Sequence, residues 1–462
     1  MVTNKFNKMK RSKLLFCIMS VVTLCACQSE KVVQKQPDYV TPVLTDTTSV
    51  VYYSQTNSIV NGQPFIPLGI YAVGVKDMPT VKDFGFNLVQ SYQFFGMPDE
   101  EKKEYLDEAF RNGLMVFAGL NGAHKLAENT EKIKETVNTF KNHPALYAWY
   151  LADEPSIKSV DPNEFQALYD WIKQTDPDHP VINSNWELGN FKNACDADMR
   201  QLYQGVPYRL SPGLENYLAK ENQNTKTWVA ILNSYDSGWE GPGVTSPSLN
   251  PTSAFDKLAE KGVKKGDLEW KKEEERWQPL LDHLDNPEAA GLHTSASFPN
   301  TPEAVRGAFY WAFAHGSNGV YYWLYSDPKG TLNLRWGWYT LFFQPRLCAA
   351  LKSTLAELKD LSIYLVNPYK DYTAFKDEKN PNMFVWSKLV DGKRIIIVLN
   401  ETGEPVESEL SLAPLGLLSE QLKVYREDER CVLLENGILK DSFKKDEAHV
   451  YFVEQENENV QK

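Results

Sequence analysis

The chain has 462 residues, of which 42% are hydrophobic, 12% aromatic and 24% charged. This composition excludes an intrinsically disordered protein, and the length accommodates one large barrel domain plus a smaller domain. The formal net charge of −12 argues against a nucleic-acid partner, because a protein that binds nucleic acid presents a basic face to the phosphates.

The N-terminus has the pattern of a bacterial lipoprotein signal peptide over residues 1–26. Five basic side chains lie within residues 5–13, and an apolar run too short to span a bilayer comfortably follows at 14–26. The run ends in Leu-Cys-Ala-Cys, which resembles a lipobox, so we expect diacylglycerol on Cys27 and cleavage before it. The alternative is an ordinary signal peptide with incidental cysteines.

Removal of residues 1–26 would leave a net charge of −17, because that segment holds five basic and no acidic residues. We interpret residues 27–48 as a polar tether, since they lack hydrophobic periodicity. The predicted localisation is the bacterial cell envelope, with the lipid on Cys27 holding the protein at the outer membrane or cell surface. The three cysteines beyond Cys27 have no zinc-site spacing, so we predict no disulfide framework, no metal and no cofactor.

From about residue 65, short apolar runs alternate with helical patterns, which is typical of βα units around a parallel sheet. One helical segment, 301–316, begins with a Thr-Pro pair that is typical of a helix N-terminus. Eight such units predict an α/β fold, a (β/α)8 TIM barrel over residues 49–366. The predicted strands are 65–73, 86–93, 114–121, 146–153, 180–186, 197–204, 226–234 and 318–325.

Two segments depart from this repeat. A long link at about 236–300 separates the seventh strand from its helix, with a Gly/Pro/Ser-rich half and a highly charged half. Such an insertion either shapes an active-site rim or forms a solvated surface helix. Residues 367–462 show short alternating runs separated by turn signals, which predict a small C-terminal antiparallel β-sandwich domain.

The reacting groups of a TIM barrel lie at the C-terminal ends of its strands. Polar and aromatic side chains are common at the predicted ends, and Lys and Arg are nearly absent, which fits a neutral sugar better than a phosphate. The candidate substrate-binding residues are Tyr71, Gln93, Asn121, His124, Asn185, Trp186, Tyr203, Trp239 and Trp323. Alternatively, Trp323 belongs to the core and His124 caps a helix.

The fourth strand runs directly into two acids and a proline, in the sequence Trp-Tyr-Leu-Ala-Asp153-Glu154-Pro. This segment resembles the fourth-strand Asn-Glu-Pro motif of clan A glycoside hydrolases, and the sequences PFIPLGIY and GVYYW of the first and eighth strands are similar to that superfamily. The resemblance covers roughly residues 61–366. It implies a glycosidase barrel that acts on an oligo- or polysaccharide, with Glu154 as general acid/base. The alternative for both acids is a salt-bridged strand end or a helix cap.

The sequence departs from the family's pattern at two places. Asp153 stands where the family has the Asn that holds the sugar 2-hydroxyl. The family's nucleophile is a Glu at the end of strand seven, where this chain reads Leu-Asn-Ser-Tyr-Asp. The nearest carboxylate there is Asp236, which we favour. Glu240 and Glu303 are alternatives, although Glu303 also suits the first turn of a helix.

These departures leave three mechanisms open. A second carboxylate about 5 Å from Glu154 predicts retention of configuration, and one about 6.5–9.5 Å away predicts inversion. With neither, the adjacent acids resemble those of enzymes that use the substrate's acetamido group, in which Asp153 would orient that group of an N-acetylhexosamine. The sequence therefore predicts a glycoside hydrolase of extracytoplasmic glycans. The alternatives are a catalytically inactive carbohydrate-binding surface lipoprotein and a barrel that serves only as a scaffold.

Overall fold

The structure is a computed structural model, and the elements below belong to the compact unit Pro37–Lys462. None of the described helices is long and apolar enough to cross a bilayer. The described residues are 36–54, 57–120, 125–156, 160–185, 188–203, 206–218, 227–234, 257–275, 299–325, 340–368, 370–427 and 430–453.

A three-stranded antiparallel sheet precedes the barrel. Its strands are β1 (Val51–Ser54), β2 (Asn57–Val60) and β3 (Gln63–Phe65), in that order across the sheet. Val51, Val60 and Phe65 point into the interior of the following barrel, so this sheet shares the barrel's core.

Eight parallel strands form a closed barrel, in which the last strand pairs with the first. All eight predicted strands are present, and the prediction of a TIM barrel is confirmed. The strands are β4 (Leu68–Ile70), β5 (Leu88–Val89), β6 (Met115–Gly119), β7 (Leu146–Asp153), β8 (Val181–Asn185), β9 (Ala197–Leu202), β10 (Trp228–Asn233) and β11 (Val320–Trp323).

Helices connect most of the strands, and the helix predicted from the Thr-Pro pair begins at Pro302. The Asp161 carboxylate accepts hydrogen bonds from the backbone of Asn163 and Glu164 at the start of one helix, and the Thr301 hydroxyl accepts from Ala304 at the start of another. The helices are α1 (Met78–Phe84), α2 (Asp99–Arg111), α3 (Leu126–Phe140), α4 (Pro162–Thr175), α5 (Pro207–Asn216), α6 (Pro302–Ala314), α7 (Pro345–Asp360) and α8 (Ser362–Leu365).

The link between β8 and β9 differs from the repeat, because it contains the short 3-10 turn Gly189–Phe191 instead of a regular helix. Only residues 186–196 separate the two strands, which leaves too little chain for a helix and its two loops. In the predicted insertion after β10, the described residues 257–260 and 268–275 are helical.

The barrel interior is filled mainly by aromatic side chains. Tyr71, Phe117, Tyr150 and Tyr321 are fully buried there, and the rings of Phe117 and Tyr321 lie 4.8 Å apart. Trp149 faces the helix layer instead, where its indole nitrogen donates a hydrogen bond of 2.7 Å to Asp176.

The sheet β1–β3 covers the N-terminal end of the barrel. The Tyr147 hydroxyl, near the start of β7, lies 2.9 Å from the Tyr53 hydroxyl and 2.7 Å from the Ser58 hydroxyl. Val51 donates its backbone N–H to Asp178, which precedes β8. The opposite end, formed by the C-terminal ends of the strands, is called the mouth of the barrel below.

Part of the predicted tether lies along the body rather than away from it. Among the described residues 36–48, Val40 is buried in the core. The Asn87 amide donates a hydrogen bond of 2.7 Å to the Val40 carbonyl, and Ile66 donates its N–H to Tyr39. The donors in these contacts lie outside the predicted tether, and the acceptors are its backbone carbonyls. The polar side-chain composition of the tether therefore could not predict the contacts.

The C-terminal region forms two antiparallel sheets, which confirms the predicted β-sandwich. A six-stranded sheet has the order β12-β13-β14-β19-β16-β17, and β15 pairs with β18. The strands are β12 (Tyr372–Lys376), β13 (Met383–Val390), β14 (Lys393–Asn400), β15 (Val406–Ser411), β16 (Gln421–Val424), β17 (Cys431–Leu433), β18 (Ile438–Phe443) and β19 (Ala448–Val453).

Barrel and sandwich meet along α6. Its Arg306 donates a hydrogen bond of 2.8 Å to Glu357 of α7 and another to the Ala448 carbonyl of β19. A Cβ atom added to Gly307 would lie 2.0 Å from the backbone carbonyl oxygen of Asp446. This oxygen belongs to the backbone and cannot rotate away as the end of a side chain could. The interface therefore has no room for a side chain at position 307.

We expect Gly307→Ala to lower the free energy of unfolding by about 1–3 kcal/mol, since α6 and the sandwich must separate to admit the methyl group. Gly213→Ala in α5 is the matched control, because nothing lies within 4 Å of its added Cβ. That control should be neutral or stabilising, as Ala is the better helix former. Chemical denaturation of the full chain measures both, and equal stability of the two variants would contradict the close contact.

The buried carboxyl of Asp446 should make the free energy of unfolding depend on pH. Burial raises the pKa of this carboxyl to about 6, although its negative charge is favoured by Lys445. The folded-state pKa exceeds the unfolded value, so ionisation destabilises the fold as pH rises through about 6, and this cost vanishes below the unfolded pKa. Asp446→Asn should therefore raise the free energy of unfolding by about 1–3 kcal/mol at pH 8 and leave it unchanged near pH 3.

The control for Asp446→Asn is Asp391→Asn. Asp446 and Asp391 have φ angles of 58° and 49°, a conformation that Asn tolerates, but Asp391 is exposed. Denaturation curves at both pH values should show no pH-dependent gain for the control. An equal gain at pH 3 and pH 8 for Asp446→Asn would contradict a role of the buried charge.

Candidate active site

Two adjacent carboxylates lie at the mouth of the barrel. Asp153 is the last residue of β7, and Glu154 follows it directly. Among the described residues that end the eight strands or directly follow them, these two are the acidic ones. Both side chains are half-buried, so they are reachable from solvent while lying against the protein.

Tyrosine side chains surround Asp153. The Tyr150 hydroxyl donates a hydrogen bond of 2.8 Å to Asp153 Oδ1, and the Tyr71 ring lies 5.8 Å from the Tyr150 ring and 5.9 Å from the Tyr92 ring. Burial, and then the negative charge of Asp153, raise the pKa of all three phenols far above the usual value. These tyrosines therefore stay protonated and serve as hydrogen-bond donors in the mouth.

Glu154 adopts an unusual backbone conformation. Its φ angle is +54°, and its backbone N–H donates to the Ser184 carbonyl at 2.8 Å. The described non-glycine residues with positive φ are mostly Asn or Asp; the exceptions are Ala72, Glu154 and Arg426. Two of these three lie at the mouth. A left-handed conformation costs energy for such residues and is concentrated at functional sites.

The charge of Glu154 also acts on one of the tyrosines around Asp153, namely Tyr92. Burial raises the pKa of Tyr92 most, and the charges of Asp153 and Glu154 raise it further. Tyr92 therefore lies near both carboxylates. Neither Tyr92 nor Tyr150 was predicted as a site residue from the sequence. Tyr92 was missed because the predicted strand 86–93 placed it inside a strand, whereas it follows the strand in the structure.

An aromatic wall completes one side of the mouth. The rings of Tyr203 and Trp323 lie 5.5 Å apart with 33° between their planes, and both side chains are half-buried. Trp323 donates its indole N–H to the Tyr92 hydroxyl at 2.7 Å, and the peptide bond that follows it is cis. The structure thus brings the predicted residues Tyr203 and Trp323 together with Tyr71, Asp153 and Glu154.

A serine directly follows the seventh barrel strand, β10. This residue, Ser234, is fully buried. Its hydroxyl accepts a hydrogen bond of 2.9 Å from the Leu324 N–H and donates to the carbonyl of the same residue. Ser234 therefore links the ends of β10 and β11, and its hydroxyl is engaged by backbone.

Two glutamates were the alternatives to Asp236 as the second carboxylate, and one of them, Glu303, belongs to the part of the chain that the structure describes. It lies in the first turn of α6, and Lys444 of the sandwich donates a hydrogen bond of 2.6 Å to it. This contact fits the interpretation of Glu303 as an ordinary helix-start acid. Several other predicted residues lie outside the described residues: Cys27, Asn121, His124, Trp186, Asp236, Trp239 and Glu240.

The structure does not bring Asn185 or Gln93 into the mouth. Asn185 is fully buried between barrel and helices, where its amide donates a hydrogen bond of 2.7 Å to Asp198. Successive strand residues face opposite sides, so its neighbour Ser184 faces the interior and accepts from Gln201 at 2.7 Å. Gln93 is exposed and precedes a short 3-10 turn beyond β5.

Residues 105–247 match the sequence family described as "Glycosyl hydrolases family 2, TIM barrel domain". The match covers less than half of the chain. The matched region includes Asp153, Glu154, Tyr203 and Asp236.

A curated relative is the beta-galactosidase of Lactococcus lactis subsp. lactis (strain IL1403). This chain is 30% identical to it over 186 residues, which cover 37% of this chain and 17% of the relative. The chain thus matches about a sixth of the length of that protein.

Solved structures share the fold at low sequence identity. The alpha-amylase of Geobacillus thermoleovorans, complexed with acarbose, is 13% identical, with a TM-score of 0.50 over 83% of this chain and 92% of the amylase. AmyP in complex with maltose is 11% identical, with a TM-score of 0.52 over 84% of this chain and 90% of AmyP. At these identities the likeness concerns the fold alone.

Proposed function

We propose that this protein hydrolyses O-glycosidic bonds of extracytoplasmic glycans, with Glu154 as general acid/base. The observation that carries the proposal is the Asp153–Glu154 pair at the mouth, surrounded by protonated tyrosines. In this reaction Glu154 protonates the leaving oxygen. The family match over this region and the distant relationship to a beta-galactosidase support the same reaction class.

The mouth also suits a sugar ring. Tyr203 and Trp323 offer a half-buried aromatic wall against which the apolar face of a sugar packs. The phenol group of the half-buried Tyr92 stays protonated because burial raises its pKa, so it can donate a hydrogen bond to a sugar hydroxyl. Lys and Arg are absent from the described strand ends, which favours a neutral substrate over a phosphorylated one.

A second candidate is a substrate-assisted N-acetylhexosaminidase. The observation that favours it is Ser234, which stands at the end of strand seven and uses its hydroxyl to hold the Leu324 backbone. In this mechanism the substrate's acetamido oxygen attacks the anomeric carbon, and Asp153, held by Tyr150, orients the acetamido N–H. If Asp236 reaches the anomeric carbon instead, the distance between Asp236 and Glu154 selects retention or inversion.

The test is a hydrolysis screen of the mature full chain on aryl glycosides and oligosaccharides. The panel contains galactosides, glucosides, xylosides, mannosides and N-acetylhexosaminides. Turnover of one sugar class is the expected result, and preference for N-acetylhexosaminides would favour the substrate-assisted mechanism. Binding of glycans without hydrolysis of any member would overturn the enzyme proposal in favour of a carbohydrate-binding lipoprotein.

We further propose that a lipid on Cys27 anchors the protein in the bacterial cell envelope. The support is the lipobox-like sequence at the end of the apolar run. Intact mass of the protein extracted from membranes should show a diacylglyceryl group on an N-terminus beginning at Cys27. Cys27→Ser should move the protein from the membrane fraction to the aqueous fraction, and retention of the variant in the membrane would contradict the anchor.

A further inference from the structure

Three exposed apolar side chains share one surface, called the apolar patch below: Val43, Val50 and Tyr52. Their exposed fractions are 62%, 42% and 49%. Asn61 connects Val43 and Val50, because its side chain accepts a hydrogen bond of 2.8 Å from the Val50 N–H and donates one of 3.1 Å to the Val43 carbonyl. Val50 directly precedes β1 and Tyr52 is the second residue of that strand, so the two residues, two apart in extended chain, face the same side.

The apolar patch lies at the end of the barrel opposite the mouth. The neighbouring Ser49 hydroxyl donates a hydrogen bond of 2.7 Å to the Pro144 carbonyl, and the Thr48 hydroxyl donates to Asn142. Both acceptors precede β7, so they mark the N-terminal ends of the strands. Asp153 and Glu154 lie at the other end of the same strand.

The chain also leads from the proposed lipid to this end of the barrel. Tyr39 and Val40 accept hydrogen bonds from Ile66 and Asn87, which precede β4 and β5. Ten residue steps separate Pro37 from Cys27, and even a fully extended chain of that length spans at most about 35 Å. A lipid on Cys27 would therefore keep the N-terminal end of the barrel within that distance of the membrane.

Exposed apolar side chains are ordinary when they occur singly. Of the eight large hydrophobic side chains that are exposed among the described residues, however, three share this one surface. A tyrosine flanked by aliphatic residues suits the boundary between headgroups and acyl chains, where its ring is apolar and its hydroxyl hydrated. Three side chains form a weak contact, so the patch supplements an acyl anchor without replacing it.

We infer that the apolar patch rests on the lipid surface, and that the mouth of the barrel faces away from the membrane. The inference rests on the lipid anchor proposed above. In this orientation the two carboxylates are presented to glycans outside the membrane, and the described C-terminal ends of the strands remain unobstructed by lipid.

The experiment uses the lipidated full chain in vesicles of phosphatidylethanolamine and phosphatidylglycerol that contain lipids with nitroxide-labelled headgroups. A fluorophore is attached either at Gln63→Cys, exposed on β3 beside the apolar patch, or at Asn163→Cys, exposed in the first turn of α4 at the mouth end. Both variants also carry Cys431→Ser, which removes an exposed thiol. We expect several-fold stronger quenching at position 63 than at position 163.

A matched pair of triple variants tests the patch itself. The first variant combines Val43→Ser, Val50→Ser and Tyr52→Ser, and it should reduce the quenching at position 63. The control variant changes three exposed leucines of the sandwich, by Leu389→Ser, Leu418→Ser and Leu433→Ser, and it should leave that quenching unchanged. Equal or reversed quenching of the two labels in lipidated protein would overturn the inferred orientation while the anchor stands. Intact mass that shows no lipid would overturn both, and neither result depends on glycoside turnover.

Discussion

Glu154→Gln is expected to lower kcat/KM for the best glycoside found in the screen by about 100- to 10,000-fold. Glutamine has the shape of glutamate but cannot exchange a proton with the leaving oxygen. The substitution keeps the backbone N–H that donates to Ser184, so the fold at the mouth should persist. Steady-state kinetics, together with a denaturation curve that shows unchanged stability, measure the effect.

The control for this substitution is Glu303→Gln. Glu303 is the alternative carboxylate near strand seven, but Lys444 engages it at the sandwich, so its kcat/KM should stay within about twofold of the wild type. A loss with Glu303→Gln as large as that with Glu154→Gln would contradict the assignment of the general acid.

The leaving group provides a sharper readout. A general acid matters most when the departing oxygen is strongly basic, as in natural disaccharides, and least when it is a nitrophenolate. The Glu154→Gln variant should therefore lose far more activity on a disaccharide than on the nitrophenyl glycoside of the same sugar. An equal loss on both substrates would indicate that Glu154 acts in another way.

The architecture could be predicted from the sequence because buried parallel strands are continuous apolar runs, and most runs here end in polar or aromatic residues. The ends of the strands were harder to predict. The second strand was expected at 86–93, but it consists of Leu88–Val89 alone. This error favoured the exposed Gln93 over Tyr92, whose hydroxyl accepts from Trp323.

The direction of side chains was the other source of error. Strict alternation would place Tyr150 and Asp153 on opposite faces of β7, because they are three residues apart. The register between β7 and β8 shifts between Tyr150 and Ala152, and this irregularity brings the Tyr150 hydroxyl to Asp153. A bulge of this kind depends on the neighbouring strand, so the local sequence does not reveal it. Asn185 shows the reverse case, in which ordinary alternation turns a plausible ligand toward Asp198.

Asp153→Asn is the second substitution with a large expected effect, about a 100-fold loss of kcat/KM. The variant introduces the Asn that clan A glycoside hydrolases, which this segment resembles, have at this position. If Asp153 only held a sugar hydroxyl, Asn could do the same and the activity would persist. The structure instead surrounds this carboxylate with protonated phenols, and the described end of strand seven offers Ser234 rather than a second acid. The negative charge of Asp153 then takes part in the reaction. The carboxylate either accepts a hydrogen bond from the acetamido N–H or stabilises the positive charge of the transition state.

Tyr150→Phe separates charge from positioning. It removes the hydrogen bond of 2.8 Å but keeps the carboxylate, so kcat/KM should fall by only about tenfold. Steady-state kinetics of Tyr150→Phe and Asp153→Asn on the same glycoside measure the difference. An equal loss in the two variants would contradict the separate role of the charge.

The outcome for Asp153→Asn also decides where the second acid is. Near-wild-type activity of this variant would show that the charge is dispensable, and the reacting carboxylate must then come from the segment after β10. In that case Asp236→Asn, rather than Asp153→Asn, should cause the 100-fold loss, and the stereochemistry of the product would report its distance from Glu154. Wild-type activity of Asp236→Asn with a strong loss for Asp153→Asn instead favours the substrate's own acetamido group as nucleophile.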